Sequence, residues 1–404
     1  MRSIVEISEC FPNKHKPFTG EFIYRHAKAL SSHCKVSVIV PLRFIPGREL
    51  LSGNPNRIIV NINNWLQDIR QTSDITEGNL SVIFFGYVSL PRPFFESSDN
   101  SFISFFFYNK LKKLIAEQKP DLLYCNWIRP WAPIVSDISK EIDVPFVIDH
   151  HEDIPTLKEL FPEKHSGFLK VFEKADKIIV HSSVNKKQLL DEGLKIPEVK
   201  VIHLGQNFEV SEKVRSFDIK MTKLICVSHL TERRKNIDIL IRAFSLLEKN
   251  KFTLTVIGDG TLKNEYINLT KELKLSSRIF FKGAMSQKEI ETELENSDIF
   301  ILPSFPEAFG IVLTESLAKG LPVISCKGNG GAEELKSMGY PGILVKPNDV
   351  HELSEAITNL ASDNELMKAM SKEGKKIAAK YFKWEKNGEN TFKILEETIR
   401  EYNE

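Results

Sequence analysis

Over most of the chain, short apolar runs alternate with longer segments whose apolar residues recur at helical spacing. Strand-length runs followed by helix-length patterns predict βαβ units and parallel sheets. In the first half the runs predict strands at Arg2–Ile7, Val36–Pro41, Leu80–Phe85, Leu122–Cys125, Phe146–Asp149, Lys177–His181 and Val199–His203. Helical spacing predicts helices over about Phe22–Ser32, Phe102–Gln118, Trp131–Glu141 and Val184–Glu192. The charged stretch Asn207–Lys223 has little periodicity and reads as a linker. The alternation restarts at Leu224–Ser228, with strands following at Thr253–Gly258, Ile279–Lys282, Ile299–Pro303, Pro322–Ser325 and Gly342–Val345. A polar amphipathic helix, about Trp384–Glu404, follows the last strand pattern. The expected organisation is α/β: two doubly wound domains over residues 1–206 and 224–382, a linker at 207–223 and a closing helix at 383–404.

Length supports two domains, because 404 residues exceed what one hydrophobic core usually supports. The balance of 42% hydrophobic and 27% charged residues is that of a globular protein, and a net charge of +1 supplies no general attraction for nucleic acid or membrane. Cys10, Cys34, Cys125, Cys226 and Cys326 lie far apart without a CxxC pair, so they read as reduced thiols rather than a disulfide framework or zinc site. The opening passes into a strand pattern without an apolar leader core, and no run reaches bilayer-spanning length. The expected location is the cytoplasm, with peripheral contact at the inner face of a membrane left open.

The segment Glu307–Glu315 carries the most chemical information. A strand ends near Pro303, a Pro- and Ser-containing turn follows, and a helix is expected from about Gly310 to Gly320, with Pro322 beyond it. Open parallel sheets bind ligands at the carboxyl ends of their strands. A helix N-terminus there offers N–H groups and a positive dipole end suited to phosphate. Gly310 lets backbone approach that phosphate, Glu307 faces its substituent, and Glu315 accepts hydroxyl hydrogen bonds about one and a half turns along. A loop acid followed by a solvated helix acid is the plainer reading, but Leu313, Leu317 and Ala318 around Glu315 do not make a solvated face.

Pro303-Ser304, Glu307-Ala-Phe-Gly-Ile-Val-Leu-Thr-Glu315-Ser-Leu-Ala and Gly320-Leu-Pro-Val together resemble the signature of glycosyltransferase family 4, two glutamates separated by seven residues. The resemblance implies the GT-B fold, two Rossmann-like domains facing across a cleft, and transfer of a sugar from a nucleotide-diphosphate donor with retained anomeric configuration. It places Glu307 on the transferred sugar, Glu315 on the ribose, and the backbone of Phe309, Gly310, Ile311 and Val312 on the sugar and diphosphate.

Further segments resemble the same family. Val227-Ser228-His229-Leu-Thr-Glu-Arg233-Arg234-Lys235-Asn236 is similar to its basic diphosphate loop, with Lys235 on the lysine. His229 replaces the usual arginine, so Arg233 or Arg234 is expected to supply the guanidinium, with geometry suited to phosphate. Gly20, after Cys10, matches the glycine near the donor phosphate, and Glu21 and Arg25 are placed toward the acceptor. Asp149-His150-His151-Glu152-Asp153 resembles a segment whose histidine bonds the transferring sugar, which assigns that role to His150 and an acceptor contact to Asp153. These two histidines and two acids lack the spacing of a metal site, and no metal is expected. Gly258, in a strand–GxG turn without the third glycine of a dinucleotide fingerprint, is expected near the nucleotide. The turn at Gly283 and Met285 is expected near the base, with Gly330-Gly-Ala-Glu-Glu334 bordering the sugar. Phe382-Lys-Trp384 resembles the start of a helix that returns to the first domain.

The resulting expectation is a metal-independent, retaining glycosyltransferase without a resident cofactor. Its catalytic group is His150, Lys235 and Glu307. Its donor-binding group is Gly20, Ser228, His229, Arg233, Arg234, Gly258, Gly283, Met285, Phe309–Val312 and Glu315. Its partners are a nucleotide-sugar donor and a glycan, lipid-linked or small-molecule acceptor, with no nucleic acid, in a monomer or homodimer. Other GT-B chemistry, epimerase or phosphorylase, and a non-catalytic sugar-nucleotide scaffold stay open as alternatives. A glycosidase, which needs two acids flanking one bond, fits less well because Glu307 and Glu315 are expected on different sides of the ligand. Phe102–Lys113, aromatic and then basic, suits either a core helix with a basic end or a lipid contact.

Overall fold

The computed structural model describes residues 1–13, 19–44, 55–71, 74–88, 96–217 and 220–404. It divides into two compact units: Met1–Val180 with Gln188–Ile202 and Trp384–Glu404, and His181–Lys187 with His203–Lys383.

The strands of the first unit are β1 (Ser3–Ile7), β2 (Lys35–Phe44), β3 (Ile75–Glu77), β4 (Leu80–Val88), β5 (Leu122–Asn126), β6 (Phe146–His150), β7 (Lys177–Val180) and β8 (Val199–Val201). They form one sheet in the order β3-β4-β2-β1-β5-β6-β7-β8. Every pairing is parallel except the short antiparallel pair β3–β4. The intervening helices are α1 (Glu21–Leu30), α2 (Pro55–Gln71), α3 (Glu96–Glu117), α4 (Trp131–Ile142), α5 (Ile154–Leu160) and α6 (His165–Leu169); α7 (Ser183–Leu190) follows β7, and its residues up to Lys187 belong to the second unit.

Two buried clusters line the sheet, and strand alternation distributes each strand between them. Ile4, Leu122, Tyr124 and Val147 join one cluster. Val5, Leu123, Cys125, Phe146 and Ile148 join the other. Burial on both faces explains why these strands read as continuous apolar runs.

Two helical segments depart from the sequence reading. α2 falls where the sequence reading places no element, and α3 begins six residues before the expected Phe102. Pro55 occupies the first helical position, where its missing N–H costs little. The asparagines around Ile58, Ile59, Ile62 and Leu66 obscure a helical apolar spacing in the sequence.

The second unit holds β9 (Thr222–Val227), β10 (Phe252–Ile257), β11 (Ile279–Gly283), β12 (Ile299–Leu302), β13 (Val323–Cys326) and β14 (Ile343–Val345). Their order is β11-β10-β9-β12-β13-β14, parallel throughout. Its helices are α8 (Ile237–Ser245), α9 (Lys263–Glu272), α10 (Gln287–Glu295), α11 (Ile311–Ala318), α12 (Gly330–Ser337), α13 (Val350–Ser362) and α14 (Asn364–Tyr381).

The final helix, α15 (Trp384–Asn403), belongs to the first unit and packs along α1. Gly388 makes the approach close: a Cβ there would lie 2.6 Å from the Ala29 carbonyl carbon. Leu395 and Ile399 then share a core with Ile23, Ala27 and Leu30.

The described part of the charged stretch 207–223 is packed on the second unit rather than free. Phe208 and Phe217 are buried. Arg215 donates to the carbonyls of Lys319, Ser297 and Leu294. Lys319 Nζ donates to the Glu209 carbonyl at 2.9 Å. The guanidinium satisfies three carbonyls at helix ends, which gives the stretch structure without secondary-structure periodicity.

Candidate active site

In the second unit, β12 ends at Leu302 and α11 begins at Ile311, with Gly310 as its N-cap at φ 75° and ψ 74°. That left-handed conformation favours glycine. It leaves the start of α11 half-buried while Leu313 and Leu317 bury its other side. The intervening loop returns through β13 to α12. Gly330 N donates to the Glu307 carbonyl at 2.9 Å, and a Cβ on Gly331 would come within 1.8 Å of the Phe309 carbonyl oxygen. The Glu307–Phe309 backbone is therefore fixed by close contact with a helix start.

Glu307 gathers the charges. Its Oε2 accepts from Lys235 Nζ at 2.7 Å and from Ser304 Oγ at 3.0 Å. Arg234 Nη1 lies 4.0 Å from Oε1 and donates to the Pro306 carbonyl at 3.0 Å. The loop carrying both cations is held by Asn236, at φ 53°, whose side chain donates to the Pro303 carbonyl. The side chains of Glu307 and Lys235 are only 11% and 13% exposed. Burial pulls the Glu307 carboxyl upward, but the Lys235 and Arg234 charges and the Lys235 and Ser304 hydrogen bonds outweigh it and hold the group below its ordinary range. Arg233 faces elsewhere, in an exposed two-bond pairing with Glu265 on α9. Of the two arginines, the geometry brings Arg234 to Glu307.

Glu315 is buried at 4% exposure one helical stretch along α11, and Asn207 Nδ2 donates to its Oε1 at 2.7 Å. Phe309 is buried, its ring near His203 and Phe382. Glu334 on α12 accepts from His203 Nε2 at 2.7 Å and from the Ser183 backbone and hydroxyl. Burial raises the Glu334 carboxyl, but these bonds outweigh it and leave the group lowered. Gly310, Ile311 and Val312 are half-buried. The turns after β9, β10 and β11 meet closely: Gly258 N donates to the Gly283 carbonyl, and a Cβ on Gly258 would lie 1.9 Å from the Ser228 carbonyl oxygen. Ser228 and Met285 are half-buried and His229 is exposed.

In the first unit, Gly20 caps α1 at φ 73°, and a Cβ there would strike the Cys10 carbonyl at 2.3 Å. Glu21 and Arg25 form an ion pair one turn apart on α1 at 2.9 Å. Two further residues named from the sequence are buried in the structure. His150 is the last residue of β6, 1% exposed, and alternation turns it with Phe146 and Ile148 toward the core, edge-on to Phe172. Its neighbour His151 turns to the opposite face, between the rings of Phe22 and Trp127. Asp153 is buried and caps α5, accepting from Thr156 N at 2.7 Å.

Residues 209–377 match the family model of glycosyl transferases group 1, and residues 20–209 match that of glycosyltransferase family 4. The two models run end to end through both units. The chain belongs to glycosyltransferase family 4. An uncharacterized glycosyltransferase of Methanocaldococcus jannaschii is 29% identical over 287 residues, covering 71% of this chain and 78% of that protein. The lipopolysaccharide core biosynthesis glycosyltransferase LpsE of Rhizobium meliloti is 25% identical over 317 residues, 77% of this chain and 81% of its own. Among solved structures, sucrose-phosphate synthase from Thermosynechococcus elongatus superposes with a TM-score of 0.75 at 18% identity, covering 99% of this chain and 100% of that one. Anabaena HepE in complex with UDP and glucose gives 0.70 at 19% identity, with 98% and 100% covered. The fold is GT-B, and the protein is a glycosyltransferase.

Within this glycosyltransferase the sequence reading did not find Ser304, Asn207 or the His203–Glu334 pair. Ser304 was quoted only as part of the signature. Asn207 stands at the edge of a charged stretch that carries no motif, and only folding brings it to Glu315.

Proposed function

We propose that this glycosyltransferase takes a sugar from a nucleotide-diphosphate donor and passes it to a hydroxyl of a glycan or lipid-linked acceptor with retention of anomeric configuration, without a metal ion. The observation that carries the reading is the half-buried Glu307–Lys235–Arg234 group at the half-buried start of α11, with Glu315 on the same helix.

The C1–O bond to the diphosphate breaks, and the negative charge that develops on the leaving phosphate meets Lys235, Arg234 and the N-terminus of α11. Groups held in place before reaction stabilise developing charge without reorganisation. Lys235 has three donors, so it can keep one on Glu307 and offer the others to phosphate. Glu307, held ionised, accepts from a sugar hydroxyl and faces the oxocarbenium-like centre. The acceptor oxygen forms its bond to C1 on the face the phosphate leaves, and its proton passes to a phosphate oxygen. Glu315 accepts from the ribose hydroxyls. The glycine turns at Gly258 and Gly283, with Met285, border the base, and Glu334 borders the sugar.

The solved complex of HepE with UDP and glucose supports a uridine donor as the first to try. A lipid-linked acceptor is supported by α3, where Phe105 and Phe106 are 82% and 59% exposed and Lys110 and Lys113 follow on the same helix face. The test is incubation with a panel of UDP-, GDP- and ADP-sugars and glycan or polyprenyl-linked acceptors, followed by proton NMR of the product. Retained configuration at C1 is expected. An inverted product contradicts the mechanism, and sugar-nucleotide epimer formation without an acceptor contradicts the transfer reading.

A further inference from the structure

One buried polar chain in the first unit is not used by the transfer chemistry above. Glu6 stands in the middle of β1, at the centre of the sheet, and is 0% exposed. Its Oε1 accepts from Asn126 Nδ2 at 2.5 Å, and its Oε2 is buried without a hydrogen-bond partner. Asn126, at the carboxyl end of β5, meets His151 Nε2 through its Oδ1 at 2.8 Å. His151 follows β6, its ring 5.2 Å from that of Phe22 and 4.8 Å from that of Trp127. Three polar side chains thus run from the sheet centre to the carboxyl ends of its strands, the end at which open α/β sheets take their ligands.

We infer that Glu6 is a positioning residue for His151, its carboxyl acting through the Asn126 amide to decide which ring nitrogen of His151 carries the proton. A primary amide has a donor end and an acceptor end, so it cannot present the same group to both neighbours. With Glu6 ionised, the amide N–H₂ faces the carboxylate, the amide oxygen faces His151, and Nε2 carries the proton. With Glu6 protonated, that arrangement leaves a buried O–H unsatisfied, which is costly. Turning the amide over removes the cost: the Glu6 O–H donates to the amide oxygen, the N–H₂ donates to His151 Nε2, and the ring proton sits on Nδ1. Ionisation of Glu6 releases one proton to water, and the ring proton moves between nitrogens of one imidazole, so no other reactant is needed.

The surroundings place this change in an accessible range. Burial raises the Glu6 carboxyl to about 8, with the Asn126 bond opposing and Asp149 adding to the rise. The groups facing this chain include Asp149 on β6, Tyr124 and Cys125 on β5, Cys34 after α1, and His181 directly after β7, whose ring nitrogen lies within 4.8 Å of Asp149 and His151. Tyr124 donates to Asp149, whose Oδ2 lies 3.5 Å from His151 Nε2. Burial first, then nearby carboxylates, raises the Tyr124, Cys125 and Cys34 groups, so all three stay protonated through neutral pH and Asp149 and Glu6 are the acids that matter.

The inference deepens the proposed transfer, and its catalytic consequence rests on that reading. The test is imidazole nitrogen NMR of histidine-labelled full-length protein from about pH 6 to about pH 10, with His151→Gln to assign the signal. A change from Nδ1–H to Nε2–H with a midpoint near 8 is expected in the wild type. In Glu6→Gln and in Asn126→Leu a single tautomer should persist. A His151 signal without such a change in folded wild-type protein overturns the inference without any variant, as does an unaltered change in Glu6→Gln. The kcat profile separates the two readings: a step in kcat matching the tautomer step ties the relay to the transfer, and a tautomer step without one upholds the relay alone.

Discussion

The Lys235 and Arg234 charges hold the Glu307 carboxyl below its ordinary range, and the direction of that shift fixes how pH acts on it. A carboxyl lowered by folding contributes stability that is full above its unfolded value and is lost as pH falls through the folded one. Glu307 therefore stays charged through neutral and mildly acid pH. Removing one partner strands a buried charge, so Glu307→Gln should leave Lys235 poorly paired and misplace the sugar. The expected loss is about 10²–10³ in kcat, with a much smaller change in donor KM, read from steady-state kinetics. Glu6 has the opposite sign. Its folded value of about 8 lies above the usual carboxyl range, so its cost to the fold grows as pH rises to about 8 and is constant beyond. Glu6→Gln should be more stable than wild type at alkaline pH, by on the order of a few kcal/mol, with the gap closing toward pH ~4.5 in urea denaturation.

At the scale of elements, the parallel strands were legible because strands buried on both faces read as near-continuous apolar runs, as Ile299–Leu302 shows. Helix α2 was not, because asparagines interrupt its apolar spacing, nor was the packing of residues 207–217, which depends on Arg215 meeting distant carbonyls. The motif made Glu307, Glu315 and Lys235 legible. The choice between adjacent residues was not: His150 against His151 depends on where the pleat of β6 ends, and Arg233 against Arg234 on a turn set by Asn236. The packing of α12 yields a sharp expectation. Gly331→Ala would drive a Cβ to 1.8 Å from the Phe309 carbonyl, so the urea midpoint should fall by the equivalent of about 3 kcal/mol with the m-value unchanged. Helix α3 yields another. Phe105→Ser with Phe106→Ser should lose co-sedimentation with vesicles of anionic phospholipid, while Kd for the donor stays the same, since donor-binding groups such as Glu307, Glu315 and Lys235 lie in the second unit.

At the scale of the molecule, two parallel sheets give the same architecture as sucrose-phosphate synthase with fewer than one residue in five shared. Fold class therefore follows from alternation and burial, and the chemistry from a few residues at strand ends. The second unit assembles those residues from six separate stretches: Asn207, the loop Ser228–Asn236, the turn at Gly258, the turn at Gly283, the β12–α11 junction and the start of α12. The central claim is that this assembly binds a nucleotide diphosphate, with Glu315 on the ribose and Glu307 on the sugar. Calorimetric titration of UDP into wild-type, Glu315→Ala and Glu307→Gln protein tests it directly. The account expects Glu315→Ala to weaken UDP at least about tenfold, the worth of one charged hydrogen bond, and Glu307→Gln to change it by less than about threefold. Equal UDP affinity in wild type and Glu315→Ala, or a larger loss in Glu307→Gln than in Glu315→Ala, would contradict it.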